Sequence, residues 1–265
     1  MAAAFAGAAD DGVTTVDDAH GKLVVYSGAA GCSFHDLQRD LRIFGLPWGM
    51  LGDEEPPQSF FEFGGDYDLP SIQLIKRRVE ATVGRPVGGN LFVRYYKEGG
   101  PSAPTRDINF NPNGVSVFVT IGAPCHFGSA NVLTGDLTVL PLASGSIVAY
   151  DGVFNVHHYH KVLETKSDVS RHPRICLRWT MARDAAAWSA PAAKQLMEVW
   201  HRFHIGARAN EAKARLKALE PWRVRPHSPM VPGGLSRGEA FLFRPLALAK
   251  VPEHAHASKR RRVKE

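Results

Sequence analysis

NLFVRYYKEG (90–99), PTRD (104–107), SVFVTIGAPCHF (116–127), LPLASGSIVAY (140–150), HHYHKV (157–162) and RICLRW (174–179) follow one another along the chain, separated by runs rich in Gly, Pro and Asn. Strand-like runs are expected at 91–96, 115–121, 137–142, 146–150, 156–162 and 174–181. Several short strands at this spacing predict a sandwich or barrel.

The flanks differ in character. Residues 33–44 (SFHDLQRDLRIF) and 70–83 carry apolar residues at helical spacing, with Pro70 suited to a first turn. Between them, 47–65 reads as a loop holding Trp48, Phe60, Phe61 and Phe63. Residues 1–20 read as a flexible leader of small residues, with a short strand after it at 23–26. Residues 185–218 read as a helix that is apolar early and basic late, and 221–252 as an extended Pro/Gly-rich segment before the basic run KRRRVK (259–264). The expected division is a leader (1–20), a β domain with N-terminal helices and a lid (21–184), a helical extension (185–220) and a Pro/Gly-rich, basic tail (221–265).

Composition bounds the rest. The 265 residues are 44% hydrophobic, enough for one full core, and no run of eighteen apolar residues predicts a membrane span. Three cysteines without C-x-x-C spacing predict free thiols in a reducing, intracellular compartment and argue against a cysteine-based zinc site. A net charge of +6 permits a nucleic-acid partner without establishing one. The KRRRVK run, with Lys259, Arg260 and Arg261, reads as a nuclear import signal, as a phosphate-contacting tail, or as neither.

The order of motifs from about residue 40 to 183 resembles the AlkB family of 2-oxoglutarate/Fe(II)-dependent dioxygenases. That family runs through an Asn-Arg-Tyr strand, a His-x-Asp pair, a Gly-x-hydrophobic strand, a distal His, and a final strand with spaced arginines. The resemblance implies a mainly β fold with flanking helices, whose core is a double-stranded β-helix, or jelly roll. It implies Fe(II) and 2-oxoglutarate as cofactors, and oxidative demethylation of alkylated nucleobases in DNA or RNA.

Matched position by position, Asp107 falls on the family's metal carboxylate and His160 on its distal His, while Thr105 stands where the first His ligand belongs. A hydroxyl stays protonated at neutral pH and is a poor iron ligand. Asp107 and His160 are therefore the candidate catalytic and metal residues. His158, two residues from His160 on one strand, is the candidate replacement ligand, with His126 and water as alternatives. Arg178 falls on an arginine of the cosubstrate strand, His172 on the other, and Arg174 and Cys176 on its Asn and Thr. Arg178, Tyr95 and Arg174 are the candidate cosubstrate contacts, while Val93 departs from the family's Asn. Residues 57–64 (PQSFFEFG) fall in the family's nucleotide-recognition segment, so Trp48, Phe61 and Phe63, with Lys259, Arg260 and Arg261, are the candidate nucleic-acid contacts.

Thr105, Val93 and His172 also support a second reading, a catalytically inactive module that binds nucleic acid or protein. A third is an oxygenase acting on protein or a small molecule, because fold does not fix substrate. Protein partners would dock on the C-terminal helix, and the sequence leaves the oligomeric state open.

Overall fold

The computed structural model describes residues 12–43, 49–50, 59–63, 69–87, 91–96, 102, 104–106, 111–163, 172–179 and 190–219. Within these, the chain runs β1 (Val13–Asp18), β2 (Gly21–Tyr26), α1 (Phe34–Ile43), β3 (Gly49–Met50), β4 (Ser59–Phe63), α2 (Pro70–Val83) and β5 (Leu91–Tyr96). It continues through β6 (Val115–Gly122), β7 (Cys125–Asn131), β8 (Leu137–Leu142), β9 (Ser146–Asp151), α3 (Gly152–His157), β10 (His158–Leu163) and β11 (Arg174–Trp179). Two helices follow, α4 (Pro191–His204) and α5 (Ala207–Ala218).

The strands form two antiparallel sheets. The larger has the order β1-β2-β9-β6-β11-β5-β4-β3 and the smaller β10-β7-β8. Thr105 adds to the free edge of β10 by exchanging two backbone hydrogen bonds with His160, each 2.9 Å. From β5 onward the chain thus visits the large sheet, the small one at Thr105, the large at β6, the small at β7 and β8, the large at β9, the small at β10 and the large at β11. This alternation between facing layers is the double-stranded β-helix expected from the motif order.

The central strands β6 and β9 of the large sheet and β7 and β10 of the small one are buried on both faces, which explains their weak polar alternation. The outer face of the large sheet, with Val117, Val119, Ile121, Leu91, Val93 and Leu177, packs under Leu37 and Leu41 of α1 and Ile72, Ile75 and Val79 of α2. The interior between the sheets holds Phe118, Tyr150 and Cys176 from one side and Phe127, Leu140 and Val162 from the other. Trp200 and Leu196 of α4 pack on Val156, and Ala209, Ala212 and Leu216 of α5 on Tyr159 and Ala130.

Helix α2 begins at Pro70, where a missing N–H costs nothing, and ends at Gly84, whose φ of 73° is the left-handed conformation of a C-cap. Its cap comes from another helix. The Asp40 carboxylate on α1 accepts from the Ser71 backbone N–H at 2.9 Å and from the Ser71 hydroxyl. These bonds hold the Asp40 carboxyl below its usual range. Asp40→Ala leaves two buried donors unmet, and a loss of about 2 kcal/mol in unfolding free energy is expected by urea titration. A loss below about 0.5 kcal/mol would show that the cap is dispensable.

Four expectations are corrected. The segment read as a flexible leader contains β1, which pairs along its length with β2 from Val13↔Tyr26 to Asp18↔Gly21. The 47–65 loop contains β3 and β4, and β4 extends the large sheet beside β5. The strand expected at 156–162 begins instead as α3 and becomes β10 only at His158. The single C-terminal helix is two, broken at Ile205 and Gly206. The expected extended segment 221–252 and the basic run 259–264 lie outside the described residues.

Among the described residues, no helix is long and apolar enough to cross a membrane. The three cysteines form no disulfide.

Candidate functional site

Strand alternation sends Phe92, Arg94 and Tyr96 of β5 to the interior, together with Cys176 and Arg178 of β11. Facing them from the small sheet are Phe127, His160 and Thr105. The space between is a cavity of about 170 Å³, and no Asp or Glu occurs among its described lining residues.

Its polar groups are of two kinds. The Arg178 guanidinium lies over the Phe92 ring at 4.9 Å. Arg94 stands on the same face as the Tyr96 phenol, which burial pushes up to about 12 and so keeps protonated. Burial likewise pushes the Cys176 thiol up to about 12. The neighbouring thiol and phenol are therefore neutral, and the guanidiniums are the fixed charges among the described groups on this wall. In a low-dielectric space such groups favour an anionic ligand.

On the other wall, His160 stacks against Phe127 with ring centroids 5.7 Å apart and planes 19° from parallel. Its Nε2 lies 3.3 Å from the Tyr150 hydroxyl. Thr105 sits directly beside it through the paired backbone bonds. The neutral donor set at this point is an imidazole, a phenol and an aliphatic hydroxyl.

Several candidates stand elsewhere than expected. Tyr95 packs with the outer, helix-side core, as Val93 does, and Tyr96 is the inward tyrosine. The tandem Tyr95-Tyr96 gives no clue to which of them faces in, and the pairing register decides it. Arg174 is fully buried over the Tyr96 ring at 4.4 Å and does not line the cavity. His172 is exposed, just ahead of β11.

His158 is not among the residues lining the cavity. Its ring stacks on Phe154 at 4.0 Å, and its Nδ1 meets the Phe154 carbonyl at 3.0 Å. His126 sits between the inward Cys125 and Phe127, so it faces away from the cavity. Asp107, Trp48, Lys259, Arg260 and Arg261 lie outside the described residues. Phe61 and Phe63 occupy register positions on β4 opposite Val93 and Leu91, two β5 residues of the helix-side core.

The buried His158 makes the fold sensitive to acid. Burial lowers its pKa from 6.5 to about 3. The native state therefore keeps the imidazole neutral while the unfolded chain takes up a proton. The contribution is fully present above pH 6.5 and is lost as pH falls from there towards 3. A fall of a few kcal/mol in unfolding free energy, on the order of one per pH unit, is expected across that window. His158→Phe should flatten the slope measured by urea titration at stepped pH, and an unchanged slope would assign it to other groups.

Sequence reasoning missed two contributors. Tyr150 is invisible as a partner of His160 because the contact joins strands of different sheets. Arg106 turns to the outer face of the small sheet. Its guanidinium donates to the carbonyls of Val156 at 2.7 Å and Phe203 at 3.0 Å and lies over the Tyr159 ring at 4.5 Å. It ties the strand segment carrying Thr105 to α4. The basic residues of the C-terminal helices are partly engaged in the same way. Arg208 donates to the Leu133 carbonyl and Arg215 to that of Gly135.

Iron(II) in a non-haem oxygenase needs two imidazoles and a carboxylate on one face. Among the described residues no three His, Cys, Asp or Glu side chains stand close enough to hold a metal. The lining supplies one imidazole, His160, with Thr105 beside it. The described donor set does not fit iron by itself.

No family model and no curated protein matches the chain. Solved structures similar to it at low identity include the following three. The structure of OsALKBH1 is 15% identical with a TM-score of 0.43, over 60% of this chain and 97% of that one. An oxidoreductase of the 2OG-Fe(II) oxygenase family from Burkholderia pseudomallei is 13% identical with a TM-score of 0.42, over 61% and 88%. A prolyl-4-hydroxylase from Pseudomonas putida is 12% identical with a TM-score of 0.40, over 63% and 95%.

Proposed function

We propose that the protein is an AlkB-like module that binds a small dicarboxylate, 2-oxoglutarate or a compound of its kind, in the cavity of the double-stranded β-helix. The observation that carries this reading is that Arg94 and Arg178 both line one cavity wall. A guanidinium offers a carboxylate two parallel donors, which a lysine or hydroxyl does not.

What the bound anion serves has two readings, and they part at the metal. Oxidative demethylation of alkylated nucleobases in DNA or RNA would use Fe(II) on His160 and Asp107 with one further donor. For that iron the described lining supplies His160 alone. The second reading, a binding module without oxygenase activity, is supported by the Thr105–His160 bridge, which sets a hydroxyl residue, a poor iron ligand, beside the one imidazole of the described lining. In either case nucleic acid is the proposed macromolecular partner. Its support is the net charge of +6 and the basic run at 259–264, which also supports a nuclear address.

Calorimetry with the full chain tests the binding, and succinate release with Fe(II), O₂ and a methylated oligonucleotide tests the chemistry. Binding with no succinate above a protein-free control is the expected outcome. Stoichiometric succinate and formaldehyde would establish the oxygenase reading instead. Failure to bind 2-oxoglutarate at millimolar concentration, with or without Mn(II), would overturn the proposal.

A further inference from the structure

We infer that Arg94 takes the place of a metal as anchor for the second carboxylate, so that the cavity binds dicarboxylates without a metal and without regard to a 2-oxo group. This rests on the reading that the cavity binds a dicarboxylate at all.

Arg94 of β5 pairs with Cys176 of β11, and Arg178 pairs with Phe92. The two arginines therefore leave the wall as diagonal inward neighbours on adjacent strands, about 7–8 Å apart. A five-carbon dicarboxylate has terminal carbons on the order of 5 Å apart, from C–C bonds of about 1.5 Å. One guanidinium per carboxylate suits both the charge and the span.

Arg94 and Tyr96 leave β5 on the same interior face, and the Tyr96 ring lies against the buried Arg174 at 4.4 Å. Opposite stands His160, whose Nε2 direction is shared with the Tyr150 hydroxyl and whose neighbour is Thr105. That wall offers the His160 imidazole and the Thr105 hydroxyl to a ligand's middle, with Lys161 of β10 also on the lining, and has one imidazole among its described residues.

The consequence is chemical. A 2-oxo acid outbinds its deoxy analogue where the ketone and adjacent carboxylate chelate a metal together. Where two guanidiniums hold the two ends, the ketone contributes little, and glutarate binds as 2-oxoglutarate does.

Calorimetry on the full chain, with 2-oxoglutarate and glutarate as probes, in EDTA and then in Mn(II), tests this. The two acids are expected to bind in EDTA within about threefold of each other, and Mn(II) is expected to change neither by more than that. Arg94→Gln is expected to weaken both by about tenfold or more, with Arg94→Lys between. Binding of 2-oxoglutarate that appears only with Mn(II) would overturn the inference and leave dicarboxylate binding standing. So would a glutarate affinity more than about tenfold weaker in EDTA, or an Arg94→Gln chain that binds like the wild type. No binding of either acid under either condition would overturn the dicarboxylate reading itself. The comparison of the two acids needs no variant, so a misfolded Arg94→Gln chain does not remove the test.

Discussion

Gly21→Ala is expected to lower the unfolding free energy by about 3–4 kcal/mol, from strain and overpacking together. Gly21 opens β2 at φ 117°, a conformation that costs an L-residue on the order of 1–2 kcal/mol. A Cβ there would also lie 2.7 Å from the Phe154 Cβ and closer still to the Phe154 backbone. That backbone cannot retreat cheaply. The Phe154 N–H donates to Asp151 at 2.7 Å to cap α3, and the other Asp151 oxygen accepts from Lys22 beside the glycine. In a domain of this size the loss corresponds to a fall of about 10 °C in Tm. Gly28→Ala is the control. Its φ is 66°, but a Cβ meets nothing within 4 Å, so it should cost only the backbone strain. Equal Tm shifts for the two variants would show that the contact with Phe154 is not what makes Gly21 necessary.

The reach of the sequence follows from which signals are local. β6 and β9 were legible because both sheet faces are buried there, which turns VSVFVTIG and SIVAYD into nearly continuous apolar runs. β7 escaped notice because CHFGSAN is small and polar, although most of it is buried. Its burial comes from β10 and β8 on either side, which a single segment does not reveal. α3 was misread because Val153 and Val156 favour strand. The Asp151 cap, the close approach of Gly152 to Asn111, and the ring-to-carbonyl bonds of His157 and His158 override that preference.

The site divides the same way. His160 and Arg178 could be found because each sits at a motif position on a strand whose inward face the alternation fixes. Tyr95 and Tyr96 could not be told apart, since a shift of one residue exchanges the faces of the whole strand. Arg94 drew no attention in the sequence, where the comparison fell on Val93. The observed register makes Val93 a core residue under α1 and α2 and places Arg94 in the cavity.

Arg178→Gln carries the largest expected effect on the cavity. The substitution keeps much of the side chain's length and its place over Phe92 but removes the charge and the fork of donors. The ligand's carboxylate would then lie in a half-open, largely apolar space without that charge partner. Truncating one member of such a pair costs about 2–5 kcal/mol, much of it the penalty on the partner left behind. A loss of about 100-fold in 2-oxoglutarate affinity is therefore expected by calorimetry. Arg178→Lys restores charge without the planar fork and should recover only part of that loss. Stability is expected to move little, because Arg178 is only partly buried, whereas Arg174→Gln removes a fully buried guanidinium and should act on Tm first. The pair of variants thus separates ligand contact from scaffold. Should folded Arg178→Gln bind 2-oxoglutarate within about threefold of the wild type, the cavity wall formed by β5 and β11 is not where the anion sits.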